Sequence, residues 1–362
     1  MPLRHLFAIP GLVLVLLFSP AVLADLRIAS WNIQNLGWGE QKSYPALAGV
    51  ASAFDFIAIQ ELMNAEGAER LLAAVEEHTG ESWSMQYSHA LGRDRYREKY
   101  AFLWRDSAVE YVDGAVVYLD TTDRFAREPY SARFRSRHSG ETFVAATVHI
   151  TYGQRVSDRT PEVKALAAYW DWLREVYPED RDRLLLMGDF NLAPGHAAWA
   201  PLKAKAEPLI THGATTLSTT DGQYANLYDN LWVGHDSALD IREAGIVRFP
   251  EWLDWSHKKA RRHVSDHAPV FALTGSAALA ARHVEATTPG TGCIDLNEAD
   301  RHELKRLPHV GPARADAIID GRPWGSVDEL TRVHGLGPAR VEEIRADGQL
   351  CGTGNAGPQS AD

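Results

Sequence analysis

A set of acids, amides and histidines stands at the ends of short apolar runs. Asn32 follows residues 26–31, Glu61 follows 54–59 and Gln60, and Asp189 and Asn191 follow 184–187 in Gly188-Asp189-Phe190-Asn191. His149 lies near the end of the run 142–150, Asp229 precedes 231–233, and Asp266-His267 precede 269–273. Taken singly, each has an ordinary explanation. Asp and Asn after a strand cap turns, and a lone His in a strand is usually a satisfied core group. As an ordered set they suit attack of water on a phosphodiester. Oxygen ligands from Glu61, Asp266 and Asn32 would suit Mg²⁺ or Mn²⁺. Such an ion neutralises charge developing on the phosphorus oxygens. Two histidines near their working pKa can then act as base and acid on opposite sides of an in-line displacement.

Residues 26–31, 54–59, 100–104, 109–119, 142–150, 184–187, 231–233 and 269–273 read as strands, and 65–78 and 162–177 as helices. Thr160-Pro161 introduces the second helix. Several strands follow one another without helices between them. Largely antiparallel sheets with helices outside are therefore expected, not a doubly wound parallel sheet. The 362 residues exceed one typical domain, and 45% apolar with 23% charged residues excludes wholesale disorder. A net charge of −11 argues against nucleic-acid binding by bulk positive charge. Basic clusters nevertheless occur at Arg93, Arg95, Arg97 and Lys99, at Arg133, Arg135 and Arg137, and at Lys258, Lys259, Arg261 and Arg262. A basic rim around an acidic site is what a polyanion needs.

Residues 1–24 read as a signal peptide: Arg4 and His5, an apolar stretch over 6–18, and Val22-Leu23-Ala24 before the cut. A secreted or periplasmic protein with no later membrane span is expected. The catalytic unit would cover 25–274, a Gly/Thr/Pro-containing linker 275–292, a small helical module 293–351 and a tail 352–362. The module holds two copies of a 26-residue repeat, with Leu304 to Arg314 aligning with Leu330 to Arg340. In each copy an apolar helix should end at a Gly-containing turn, with Pro opening the next helix. Gly335 and Gly337 would let a backbone approach closely, and the helix start would favour a phosphate. The alternative is a packing unit, which the module's slightly acidic balance favours. Cys293 and Cys351 bracket the module, and a bond between them could add ~3–4 kcal/mol. Two free thiols are the alternative.

This module resembles a tandem helix-hairpin-helix domain of the competence DNA-receptor type, with His309 where that family usually has Gly. The larger unit resembles the endonuclease/exonuclease/phosphatase superfamily, closest to the secreted deoxyribonuclease I group. The motifs are Trp31-Asn32-Ile33-Gln34-Asn35-Leu36-Gly37, Tyr96-Arg97-Glu98 in the stretch 91–105, Phe125-Ala126-Arg127-Glu128-Pro129, the segment Met187 to Asn191, and Ser265-Asp266-His267. The resemblance implies an α+β fold, a two-sheet sandwich with outer helices, beside the small all-α module. It implies that Glu61, with Asn32 nearby, holds the metal and that Asp266 supports the metal or a His. His149 would pair with Glu98 as acid, and His267 with Asp229 as base. Which His takes which role stays open. Asp189 and Asn191 would orient water, and Tyr96 and Arg127 would grip substrate, Tyr96 on a strand. The departures are Met63, Gln34 and Asn230, each where the family has Arg. Asp120, Asp123 and Glu128 could hold a structural Ca²⁺, or be solvated turn acids. The expectation is a monomeric, metal-dependent endonuclease acting on DNA, double-stranded by preference. The rivals are a phosphodiesterase such as a sphingomyelinase, a phosphatase, or a non-catalytic DNA receptor.

Overall fold

Two mixed sheets face each other across a layer of aromatic side chains, in a computed structural model. It describes residues 26–39, 41–93, 95–279, 284–287, 294–297, 299, 301–304, 307–346 and 350. The expected signal peptide, both cysteines and the tail lie outside these residues. The first part of the chain runs β1 (Arg27–Leu36), α1 (Tyr44–Ala51), β2 (Phe56–Leu62), α2 (Ala65–Thr79), β3 (Trp83–Tyr87), β4 (Lys99–Arg105) and β5 (Val109–Val117). Then come β6 (Tyr130–Ser136), β7 (Thr142–His149), α3 (Val156–Val176), β8 (Leu184–Asp189), α4 (Ala200–Lys203), β9 (Ala206–Pro208) and β10 (Asp229–Gly234). The unit closes with β11 (Ile241–Val247), α5 (Phe249–Trp252), α6 (His257–His263), β12 (Val270–Thr274) and β13 (Val284–Thr287).

One sheet has the order β13-β11-β12-β1-β2-β4-β3 and the other β5-β6-β7-β8-β10-β9. The parallel pairs are β1 with β2 and β7 with β8, and the other neighbours run antiparallel. The largely antiparallel sheets expected from uninterrupted strand runs are present, as is the two-sheet α+β sandwich that the resemblance implied. Within 275–292, read as a linker, Val284–Thr287 instead pairs along β11 as an edge strand. Its Val-Glu-Ala-Thr sequence alternates, but over only four residues, with Val284 and the small Ala286 as its apolar positions.

Between the sheets, the Phe56 ring on β2 lies 4.8 Å from Phe134 on β6 and 5.4 Å from Phe143 on β7. Strand alternation sorts what each sheet offers. On β8, Leu185 and Met187 face the other sheet, while Leu184 and Leu186 pack under α3 with Val163, Leu166, Tyr169 and Trp170. By the same parity, His149 at the end of β7 and Asp189 at the end of β8 belong to the inter-sheet face, and they are register partners. Just beneath them Gln60 on β2 donates to Thr147 Oγ1 on β7 (2.8 Å) and to Ser30 Oγ on β1 (3.1 Å), a polar bridge across the sandwich.

α3 begins at Val156, earlier than Thr160-Pro161 suggested. Pro161 lies inside the helix and cannot donate to the carbonyl one turn back. The Thr160 hydroxyl donates to that Ser157 carbonyl instead (3.2 Å).

The C-terminal unit holds α7 (Arg301–Leu304), α8 (Pro312–Asp320), a 3₁₀ segment Val327–Arg332 and α9 (Pro338–Ala346) around Leu304, Ile318, Leu330, Leu336 and Ile344. The second copy thus opens with a 3₁₀ turn, not the expected α-helix. His309 takes φ +63°, close to the +84° of its repeat partner Gly335. Arg314 donates to the His309 carbonyl (2.6 Å) and Arg340 to that of Gly335 (2.7 Å), so the two turns are clamped alike. The first turn keeps its geometry without glycine, at a cost of about 1–2 kcal/mol.

Candidate active site

The catalytic candidates from both sheets meet in one cleft of about 510 Å³, lined by Glu61, Tyr96, Arg127, His149, Asp189, Asn191, Asp266 and His267 among others. His149 and Asp189 come from paired strand ends of one sheet. His267 comes from the approach to β12 in the other sheet, and Trp31 Nε1 donates to its carbonyl (2.9 Å).

Two histidine–carboxylate pairs dominate. His149 Nδ1 lies 2.8 Å from Glu98 Oε1, and His267 Nδ1 lies 2.7 Å from Asp229 Oδ2. Each pairing directs the opposite nitrogen at a common point. Nε2 of His149 is 3.5 Å and Nε2 of His267 is 3.6 Å from the same oxygen, Asp189 Oδ2. Glu98, Asp189 and Asp229 are all at most 1% exposed. Burial pulls the His149 imidazole down, but Glu98 and then Asp189 outweigh it, so its pKa is raised. For His267 burial also pulls down, and Asp229 and Asp189 lift it well above the ordinary value. Burial lifts Asp189, yet the two flanking histidines hold its carboxyl below the ordinary value. All three groups therefore favour their charged forms in this low-dielectric setting.

Glu61 reaches the cleft through a backbone irregularity. Alternation along β2 would turn it away from Gln60's face. Its positive φ of +59° and the register shift between Ile59 and Leu62 redirect it. Asn32 Nδ2 donates to Glu61 Oε1 (2.9 Å) and to Asp189 Oδ2 (3.0 Å), and its Oδ1 accepts from Gln34 N (2.9 Å). Asn35 N completes the hold on Glu61 Oε2 (2.9 Å). Asn32 thus stands beside Glu61 as expected and braces it, with a lone pair of its Oδ1 left beyond the one Gln34 N uses, while Glu61 and Asp266 line the cleft directly. The charge balance there fits a cation. Burial lowers Lys42 to about 8, and Asp266 and Glu61 are the groups that oppose it. Asp189, Asp229 and His267 also cluster closely enough for a shared ion. The His267 ring stands between the two carboxylates, with Nδ1 2.7 Å from Asp229 Oδ2 and Nε2 3.6 Å from Asp189 Oδ2.

Tyr96 and Arg127 line the cleft as expected, with different emphases. Arg127 donates through Nε (3.2 Å) and Nη2 (3.0 Å) to the His149 carbonyl and lies 3.6 Å from Glu98, bracing that pair. Tyr96 sits in a loop, because β4 begins only at Lys99 and Glu98 makes an isolated bridge to Leu91. Part of the basic rim is also corrected. Arg133 pairs with Asp113 and Asp180, and Arg135 and Arg137 pair with Glu110. The alternation Tyr130/Ala132/Phe134 marks this segment as β6, with its arginines on the opposite face from the core. The acidic turn is likewise satisfied from within. Asp120 accepts from Phe125 N (2.8 Å), Arg124 N and the Thr122 hydroxyl (3.0 Å), and Asp123 pairs with Arg93 (2.9 Å). Those contacts are the ones turn acids make in closing a loop.

The sequence reading missed Arg159. It is 5% exposed and donates to the carbonyls of Asn191 (2.5 Å) and Tyr152 (2.6 Å) and to Tyr228 Oη (3.2 Å). Asn191 N in turn donates to Asp189 Oδ1 (2.9 Å), so Arg159 locks the Asp189–Asn191 turn from behind. Its isolation in the 155–159 stretch offered no periodic or motif signal.

The site and the sandwich together define a phosphoester-cleaving class, and the chain belongs to the Endonuclease/Exonuclease/phosphatase family, whose match spans residues 29–267. Residues 291–347 match the helix-hairpin-helix motif. The chain is 57% identical over 355 residues to a deoxyribonuclease of Thioalkalivibrio sp. (strain K90mix), covering 96% of this chain and 98% of that protein. It is 28% identical to deoxyribonuclease-1 of Gallus gallus, over 69% of this chain and 92% of that one. A conserved protein of Enterococcus faecalis V583 shares the fold, with a TM-score of 0.51 at 18% identity over 69% of this chain and all of that one.

Proposed function

We propose that the chain is an exported, divalent-metal-dependent endonuclease that hydrolyses DNA to 5′-phosphate and 3′-hydroxyl ends. The observation that carries this is the convergence of His149 Nε2 and His267 Nε2 on Asp189 Oδ2, at 3.5 and 3.6 Å. Two imidazole nitrogens converging on one point suit a displacement in which one takes a proton from the attacking side as the other gives one to the leaving side. His267, held by Asp229, takes the proton of the attacking water and must be neutral at Nε2 to do so. His149, held by Glu98, protonates the leaving oxygen. Asp189 and Asn191 orient the water and the phosphoryl oxygens. Glu61 and Asp266 would hold the Mg²⁺ or Mn²⁺, which supplies charge neutralisation at the phosphate. Similarity to deoxyribonucleases over nearly the whole chain supports DNA as the substrate. The test is nicking of supercoiled plasmid by residues 25–362 with Mg²⁺, abolished by chelator and absent in His149→Ala. Turnover confined to phospholipid or small phosphomonoesters would sink this reading.

The helix-hairpin-helix unit is proposed to tether DNA and raise its local concentration. Gly337 tests this cleanly, since a Cβ built there meets nothing within 4 Å. Gly337→Ala is expected to weaken binding of long duplex several-fold while turnover of a short, saturating duplex is unchanged. Equal losses in both would end the tether idea.

Export is proposed to remove residues 1–24 and to allow a Cys293–Cys351 bond. Their chain neighbours Ile294 and Leu350 form a β-bridge, which brings the two ends of the module together. The mature protein should begin at Asp25, and its intact mass should rise on reduction by the hydrogens of one disulfide.

A further inference from the structure

Three adjacent strands of one sheet present the site residues in a single row. His149 on β7 is the register partner of Asp189 on β8, and Asp189 is that of Asp229 on β10. Just past this row the chains are still laced. Ile150 N donates to the Asp189 carbonyl (2.9 Å), Asn191 Nδ2 to the Ile150 carbonyl (2.9 Å) and Phe190 N to the Tyr228 carbonyl (2.8 Å). The regular ladders end at the row itself, because β7 and β8 stop there and β10 begins there. Beyond it the strand ends need another tie.

Arg159 supplies it. Its Nε donates to the Tyr152 carbonyl (2.6 Å), just after His149 in the chain. Its Nη1 donates to the Asn191 carbonyl (2.5 Å), just after Asp189, and to Tyr228 Oη (3.2 Å), on the residue before Asp229. One guanidinium therefore reaches the end of every strand in the row. It is also held face-on, with its carbon 4.0 Å from the Tyr152 ring centroid and 5.5 Å from that of Tyr228. The helix turn that carries it is firm. Asp158 accepts from Gln154 N (2.9 Å) and Arg155 N (3.0 Å), and Glu162 accepts from Thr151 N (3.2 Å). Arg159 is 5% exposed, and these partners are carbonyls, a hydroxyl and aromatic faces, not carboxylates. Burying a cation without an opposing charge is unfavourable. What the guanidinium offers in that place is a rigid planar fork that bonds several backbones at once.

We propose that Arg159 is a positioning residue for the reaction: a clasp across three strand ends that keeps His149, Asp189 and Asp229 in one row, so that both histidine–carboxylate pairs depend on it. This rests on the DNA-cleaving reading above and extends past the Asp189–Asn191 turn to both sides of the displacement. Tyr152 follows the strand that carries the acid, His149. Tyr228 precedes Asp229, which holds the base, His267. Releasing the fork frees these ends to part, and the two Nε2 atoms then lose their common point at Asp189 Oδ2. Arg159 is buried behind the row and does not meet substrate, so its loss falls on kcat and leaves KM in place.

In the full chain, with rates taken per folded molecule, Arg159→Ala is expected to lower kcat on a short duplex about 10²-fold, the effect of a shift near 1 Å at reacting groups. KM should stay unchanged. Hydrolysis of bis(4-nitrophenyl) phosphate should fall in the same proportion, because the defect lies in groups that both substrates share. Arg159→Lys should recover little of the loss, since an ammonium keeps the charge but lacks the fork. It also keeps most of the stem, so it carries the test by itself if the alanine variant does not fold. Wild-type kcat in Arg159→Lys, or a rise in duplex KM with kcat unchanged in either variant, overturns the clasp, while wild-type nicking leaves the nuclease reading intact. A wild type that cleaves the model diester but not DNA overturns the nuclease reading alone, and the clasp is then judged on the diester. A wild type that cleaves neither overturns both.

Discussion

Alanine at His149 is expected to lower kcat for plasmid nicking by about 10²–10⁴-fold, the usual worth of a positioned acid or base. The folded state should survive, because the side chain sits at a strand end and its backbone N–H still donates to Tyr100 Oη (2.9 Å). The mechanism adds a sign that can be checked by pH. An acid must keep its proton until the leaving oxygen takes it. Burial lowers the His149 pKa, and Glu98 together with Asp189 more than restores it, so the net shift is upward. The acid therefore stays loaded to a higher pH than a free imidazole would, and its loss lowers kcat as pH rises through the raised value. Glu98→Gln removes the largest upward contribution, so the alkaline limb should move to lower pH. In a His149→Ala background the same change should cost little, because the two residues act as one unit. A limb that stays put in Glu98→Gln would remove His149 from the acid role and leave His267 as its candidate.

Gly188→Ala is expected to be the most damaging single-methyl addition in the sandwich. Gly188 precedes Asp189 on β8 and has a φ of +149°. A Cβ there would lie 1.9 Å from the Val148 carbonyl oxygen on β7, a backbone atom that no side-chain rotation can move. The strands must part at the register that pairs Val148 with Gly188 and His149 with Asp189. Strain and overpacking of this kind cost roughly 1–3 kcal/mol each, so ~3 kcal/mol or more is expected. A lower melting midpoint should accompany a loss of kcat larger than the fall in folded fraction explains, since a shift of about 1 Å at such a site costs on the order of 10²-fold. Normal stability and kcat in Gly188→Ala would show that the β7–β8 register does not set the site.

Much of the site could be read from residue types at strand ends. Asn32, Glu61, His149, Asp189, Asn191, Asp266 and His267 all line or adjoin one cleft, and Glu98 and Asp229 pair with the histidines expected for them. Those residues had no other economical use as a set, and spacing survives when no partner is visible. The helix α2 was equally legible from its apolar spacing, the expected 65–78 matching Ala65–Thr79. So was the repeat in the C-terminal unit.

What the sequence by itself determined was the inventory: the strands, the acid–histidine set, the two-unit organisation and the repeat. Each depends on local chemistry or on periodicity. Only the tertiary structure decided the assignments that depend on direction. Asn32 was placed as a brace because its amide meets Glu61 and Asp189, which lie 29 and 157 residues away in the chain. Arg133, Arg135 and Arg137 left the substrate rim because β6 turns them toward acids on β5 and near α3. Arg159 entered the site from behind through a carbonyl 32 residues away, and Glu61 entered through one positive φ that alternation could not foresee. Where a side chain points is set by register, bulges and packing between distant segments, and those energies are not written in any one stretch of sequence.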